Sequence, residues 1–147
     1  MSESFSQAAA RHLHDANLLL NKQRCDNAVY LAGYVVECSF KVLVEIYIDK
    51  AAVKKYGHDL VELQGTAMER LRLMYPILDI QLPASRITGT VLVDEAHPER
   101  SHPKRRYQES GLWSYCQAKE AVERSEQIYT EIVPRLILDG ILSSKEL

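Results

Sequence analysis

The sequence predicts an all-α fold, an up-and-down bundle of four to five helices with one long irregular connection over residues 76–113. Three observations predict it. The stretch from Asp26 to Ile48 reads as one unbroken helix that is apolar on two sides, and such a helix is buried on two sides. Helical apolar spacing recurs before and after it, joined by short connections that make neighbouring helices antiparallel. Between residues 76 and 113 that spacing is lost and Pro76, Pro83, Pro98 and Pro103 accumulate.

The first helix is expected over about Ser4–Lys22. Phe5, Ala9, Leu13, Ala16 and Leu20 form its inward stripe, and Arg11, His14, Asp15 and Leu18 form a neighbouring one. Gln23-Arg24-Cys25 is a turn. Asp26 is then a suitable N-cap for the central helix, because its carboxylate can accept an orphan backbone N–H. Within that helix Gly33 is the only glycine, at a cost of about 1 kcal/mol against alanine. Past Ile48 the helix can run on a turn or two before Gly57 ends it. His58-Asp59 opens a third helix, with Glu62 three residues beyond Asp59 in capping-box register. Leu60, Leu63, Ala67, Leu71 and Met74 form its inner stripe and Pro76 closes it.

Residues 76–113 admit a short helix near Ile77–Gln81 and a small hairpin around Gly89. Ser114 and Gln117 form a second capping pattern. The helix that follows turns Tyr115, Ala118, Val122, Tyr129 and Ile132 to one face. Pro134 kinks or breaks it, and Leu136, Ile137 and Ile141 carry the apolar face to Gly140 and slightly beyond. Ser143–Leu147 is a fraying tail.

At 147 residues the chain is one domain, 1–147, large enough for a real core. With 46% hydrophobic and 26% charged residues and a net charge of −2, the overall composition points to neither nucleic acid, membrane nor disorder. Cys25, Cys38 and Cys116 are odd in number and widely spaced, the pattern of reduced thiols in a cytoplasmic protein. Met1–Gln7 lacks the order of a signal peptide, and Glu37 and Lys41 interrupt the longest apolar runs, so no membrane span is expected.

Two stretches carry candidate chemistry. Asn27, Tyr30, Tyr34, Glu37, Lys41 and Glu45 fall on one narrow strip of the central helix. Glu37 and Lys41 stand in the favourable i,i+4 order. The strip reads either as a solvated face with one ion pair or as a surface that meets a partner helix or lines a polar groove. Pro98–Gln108 places Arg100, Lys104, Arg105 and Arg106 within seven residues, with His102 among them and Tyr107 closing the run. Guanidinium forks match phosphate oxygens and a phenol can stack on a base, whereas a solvated basic loop has the same composition. His97, His102 and Cys116 do not make a metal set, since no carboxylate or cysteine pair stands at ligand spacing, and no metal or cofactor is expected. His58 sits at a helix N-terminus or packs on the preceding helix.

Three of these stretches resemble the HEPN (higher eukaryotes and prokaryotes nucleotide-binding) domain family. Ala8–Leu13 with Asp26–Lys41 resembles the family's first two helices, with a small residue, Glu37 and Lys41 at the family's steps. Gly57-His58-Asp59-Leu60, followed by Leu63, resembles its Gly-His-Asp-Leu entry to the third helix, and Arg106-Tyr107 resembles its Arg-Tyr before the last helix. The likeness covers most of the chain but not residues 76–97. It implies an up-and-down bundle, commonly a homodimer, from prokaryotic toxin–antitoxin, defence or stress systems, often beside a nucleotidyltransferase-type partner protein.

Many members of that family are metal-independent RNases that carry Arg, four to six residues, then His. Here no arginine is followed by histidine at that spacing. The departure points away from an enzyme and assigns no catalytic residue. It leaves a nucleotide- or RNA-binding module whose candidate groups are Arg106 and Tyr107, with Glu37, Lys41, His58 and Asp59 lining or supporting the groove. The alternatives are a metal-independent endoribonuclease with a degenerate site, its base drawn from His102 or His58, and a protein–protein interaction module with no nucleic-acid role.

Overall fold

The computed structural model describes residues 4–87, 90–93, 102 and 110–141, and over these the chain is helical with no strand. Three long segments set the frame. Helix α1 (Phe5–Asn21) folds back through a tight turn onto α2 (Cys25–Tyr47), and α7 (Tyr115–Leu138) packs against both. Between α2 and α7 come α3 (Lys50–Val53), α4 (Leu60–Glu62), a π-helical stretch (Leu63–Met68), α5 (Glu69–Met74), α6 (Ile77–Gln81) and a 3₁₀ turn (Pro83–Ser85). The all-α bundle is as expected, and its axis is α2, whose side chains from Ala28 to Val44 are nearly all buried. Among the described residues no helix is long and apolar enough to cross a membrane.

Local chemistry explains most of the helix ends. Ser4 caps α1 by accepting the Gln7 N–H, and Asp59 caps α4 by accepting the Glu62 N–H at 3.0 Å. Ser114 and Gln117 exchange both bonds of a capping box at α7. At the far end of α7, Gly140 takes the left-handed conformation, φ 75°, and the Ile141 and Gly140 N–H groups return to Leu136 O and Ile137 O. That is a Schellman closure. Helix α7 runs through Pro134 to Leu138, so the proline does not break it.

Asp26 is not the cap of α2. The helix starts at Cys25 with Arg24 in the cap position and no side-chain cap bond, because the turn closes through Gln23 at φ 57°. The Asp26 carboxylate instead accepts the backbone N–H groups of Gly111 and Trp113, at 2.6 and 3.0 Å. It fastens the approach to α7 onto the start of α2. Helix α2 also ends at Tyr47. Asp49 caps a separate turn, α3, through the Ala52 N–H, so the expected continuation is a new helix.

The core is one cluster centred on Phe40, Leu43, Leu60, Leu63, Met68, Leu71, Ile128 and Ile132. The stripe expected for the third helix holds as far as Leu71. Met74 lies exposed and Met68 takes the buried place, because the π-helical stretch widens the turn and carries both Leu63–Gln64 and Ala67–Met68 inward. On α7, Tyr115 is exposed, Tyr129 packs half-buried against the core as expected, and Ala121, Ser125 and Ile128 complete the inner face. On α1 the Arg11–His14–Leu18 stripe faces solvent. The short helix Ile77–Gln81 forms as expected. Gly89, the centre of the expected hairpin, lies outside the described residues, and the three cysteines are free thiols.

Candidate functional site

The polar strip of α2 points into the molecule. Glu37, Lys41 and His102 are 2, 5 and 1% exposed, so the middle of the strip is a buried polar cluster, while Tyr30, Tyr34 and Glu45 are half-buried and Asn27 is exposed. The Lys41 ammonium donates to Glu37 Oε2 at 3.0 Å one helical turn away, and it lies over the Phe5 ring from α1, 5.3 Å from the centroid. Phe5 therefore seals the ion pair from one side. From the other side His102 reaches Glu37 Oε1 through Nε2 at 2.9 Å. His58, just before α4, places Nδ1 3.0 Å from Oε2 and 3.3 Å from Oε1. One carboxylate thus joins α2, the entry to α4 and the connection before α7.

Burial alone would raise the Glu37 pKa. The hydrogen bond from His102 and the Lys41 charge outweigh it, so Glu37 is held below its ordinary value of 4.5 and is ionised at neutral pH. An ionised carboxylate only accepts. The hydrogens therefore belong to Nδ1 of His58 and Nε2 of His102. In the neutral His58 ring this fixes the tautomer and leaves Nε2 with its lone pair. The side chain is 61% exposed, so the lone pair is available at the surface.

Rings crowd around this group. Tyr34 meets His102 edge-on with centroids 4.3 Å apart, and meets His58 edge-on at 5.6 Å. Tyr30 donates its hydroxyl to the Tyr34 hydroxyl at 3.0 Å, and His12 of α1 stacks at a tilt 5.5 Å from Tyr34. Burial, reinforced by neighbouring Arg11, lowers the His12 pKa. Gly33 explains how His102 fits. A Cβ built on Gly33 would stand 2.5 Å from His102 Nδ1 and 2.6 Å from Cγ, so only glycine lets the imidazole lie on the helix.

Of the residues singled out from sequence, the structure brings Glu37, Lys41 and His58 together. Glu37 and Lys41 are spent on each other and on the imidazoles, which leaves them the supporting half of their expected role. Asp59 is the cap of α4. Arg106 and Tyr107, with His97, Arg100, Lys104 and Arg105, lie outside the described residues. His102, which the sequence sets in a basic run, is the buried second imidazole on Glu37. Among the described residues no set of His, Cys, Asp and Glu could hold a metal ion. Comparison with family models, curated proteins and solved structures finds no match for the chain.

Proposed function

We propose that this chain is a HEPN-like module that binds a nucleotide or RNA without cleaving it, in a prokaryotic toxin–antitoxin, defence or stress system. The observation that supports it best is the pairing of a buried Glu37 with a surface imidazole, His58, whose second nitrogen accepts when the ring is neutral. Such a nitrogen takes a ribose hydroxyl or a base N–H. The half-buried Tyr34 beside it, hydrogen-bonded by Tyr30, is an aromatic ring of the kind on which a base stacks. Phosphate contact belongs to the basic run, with Arg106 and Tyr107 as its candidates.

A second reading, a metal-independent endoribonuclease, draws on the same imidazole. Nε2 of His58 could take the proton of a 2′-hydroxyl while Glu37 stabilises the imidazolium that forms. Cleavage also needs a cation on the phosphate. Lys41, the cation of this cluster among the described residues, is buried and bonded to Glu37, which supports binding over cleavage.

The experiment is fluorescence anisotropy of a labelled single-stranded RNA without metal, read beside a gel of the same mixture. The expected result is salt-dependent binding with intact RNA. Arg106→Ala should weaken it and lower the salt slope by about 1, the signature of one lost phosphate contact. His58→Gln should weaken it with the slope unchanged. Cleavage that vanishes in His58→Gln would move the chain to the second reading. No RNA or nucleotide affinity in the wild type would overturn both and leave an interaction module.

A further inference from the structure

Between the segment 90–92 and α7 lies a hollow of about 150 Å³. Val91, Leu92 and Ala121 make its apolar lining, and Leu92 and Ala121 are buried. The Thr90 hydroxyl, on the same wall, is spent: it donates to Ile87 O at 2.6 Å and accepts the Leu92 N–H at 3.2 Å. Two opposite charges, Glu120 and Arg124, also line the hollow. They stand in the i,i+4 order that favours a helical ion pair, yet they do not pair. Arg124 Nη2 instead donates to Arg86 O at 2.9 Å, and the Arg124 Nε–H is buried with no acceptor. Of the five N–H donors of the guanidinium, that bond uses one among the described residues. Glu123, at the same hollow, faces Lys119 at 3.9 Å, so Glu120 is the carboxylate left unspent.

We infer that this hollow binds a small zwitterion, a free apolar α-amino acid of valine or leucine size. Its carboxylate takes the open donors of Arg124, its ammonium pairs with Glu120, and its side chain lies against Val91, Leu92 and Ala121. The size fits, because a cavity of about this volume holds a body as large as benzene. That is room for a branched side chain and its α-carbon, with the charged head at the mouth. Other ligand classes match fewer of these groups. A simple anion suits Arg124 but meets Glu120 and Glu123, and a simple cation meets Arg124. A hydrocarbon leaves both charges unmatched, and buried donors are ordinarily satisfied. A peptide terminus carries only one of the two charges. The unmade Glu120–Arg124 pair matters here, since the ligand enters without first breaking an ion pair. The hollow shares no residue with the cluster around Glu37, and the inference does not depend on the nucleotide-binding reading.

The test is isothermal titration of the full chain with L-leucine up to about 10 mM, since a ligand of this size binds with a Kd between about 10 μM and 1 mM. Two analogues separate the charges. Isocaproate lacks the ammonium and isoamylamine lacks the carboxylate, and each should bind at least about 10-fold more weakly than leucine. Leucine itself should bind Glu120→Gln and Arg124→Gln at least about 10-fold more weakly than the wild type. Glu120 is exposed and makes no bond, so Glu120→Gln keeps the fold, which circular dichroism checks. Absence of leucine binding over the whole titration would overturn the inference. So would isocaproate or isoamylamine that binds as tightly as leucine, or a leucine affinity that either variant leaves unchanged.

Discussion

Gly33→Ala tests whether His102 truly lies on α2, because two effects of known size oppose each other there. In a helix interior alanine is favoured over glycine by roughly 0.8–1.0 kcal/mol, so a helix-only view expects the substitution to stabilise. The structure expects the reverse. The new Cβ would stand 2.5 Å from His102 Nδ1 and 2.8 Å from its Cβ, and the ring's own attachment atom cannot swing aside while Nε2 stays on Glu37. Displacing the ring forfeits a hydrogen bond to a charged partner, worth about 1.5–3 kcal/mol. The balance is a net loss of about 1–2 kcal/mol, or roughly 2–8 °C in Tm for a chain of this size. Urea and thermal unfolding of Gly33→Ala, His102→Ala and the double variant measure it as a cycle. Gly33→Ala should destabilise the wild type yet stabilise the His102→Ala background by up to about 1 kcal/mol. Equal stabilisation in both backgrounds would show that nothing occupies the space above Gly33 and would refute the packing of His102.

Other perturbations separate the members of the cluster. Glu37→Gln leaves the buried Lys41 ammonium without its counter-charge and should cost about 3–5 kcal/mol in urea unfolding. Lys41→Met should cost less than Glu37→Gln, because Glu37 keeps the hydrogen bonds of His102 and His58; equal costs would mean that the imidazoles contribute nothing. Asp26→Ala removes the acceptor of the Gly111 and Trp113 N–H groups and should cost about 2 kcal/mol, with a blue-to-red shift of Trp113 fluorescence as the local readout. Stability should also fall on acidification. His12 and Glu37 are both depressed on folding, so each contributes stability that is complete above its unfolded pKa and is lost as pH falls through the folded value. The loss should begin below about 6.5 through His12 and steepen below about 4.5 through Glu37. Glu131, pushed up by burial, opposes it at the lower end. His12→Gln should abolish the upper part of the pH profile of the urea midpoint; an unchanged upper slope would show that His12 is not the group responsible.

The helices were legible because their signals are local. The apolar stripes of α1, α2 and α7, the caps at Asp59 and Ser114 and the stop at Gly140 each depend on a few residues of one segment. The misreadings share a different cause. Asp26 has the chemistry of an N-cap, but its partners, Gly111 and Trp113, lie 85 and 87 residues away in sequence, and tertiary donors outcompeted the local one. Gln64 and Met68 joined the buried face because the π-helical stretch Leu63–Met68 widens the turn, and a period of 3.6 cannot anticipate an inserted residue.

The site divides along the same line. Glu37, Lys41 and His58 could be named from α2 and the entry to α4, since an i,i+4 pair and a capping sequence are visible in one segment. That Glu37 would be shared by two imidazoles could not, because His102 stands 65 residues on, in a run whose charge suggested solvent. One residue did hint at it. Gly33 sits at the centre of an otherwise well-formed helix, where it costs about 1 kcal/mol with no turn or cap to justify it. A glycine at such a cost is the mark of a close approach, and its position one helical turn before Glu37 says where on the helix the approaching group lies. Glu37 sets only the chemistry of that group, a hydrogen-bond donor; that it is the His102 imidazole is visible in the structure alone. A buried carboxylate on α2 with one ammonium partner still has acceptor sites to fill, and a donor that enters over Gly33 reaches them.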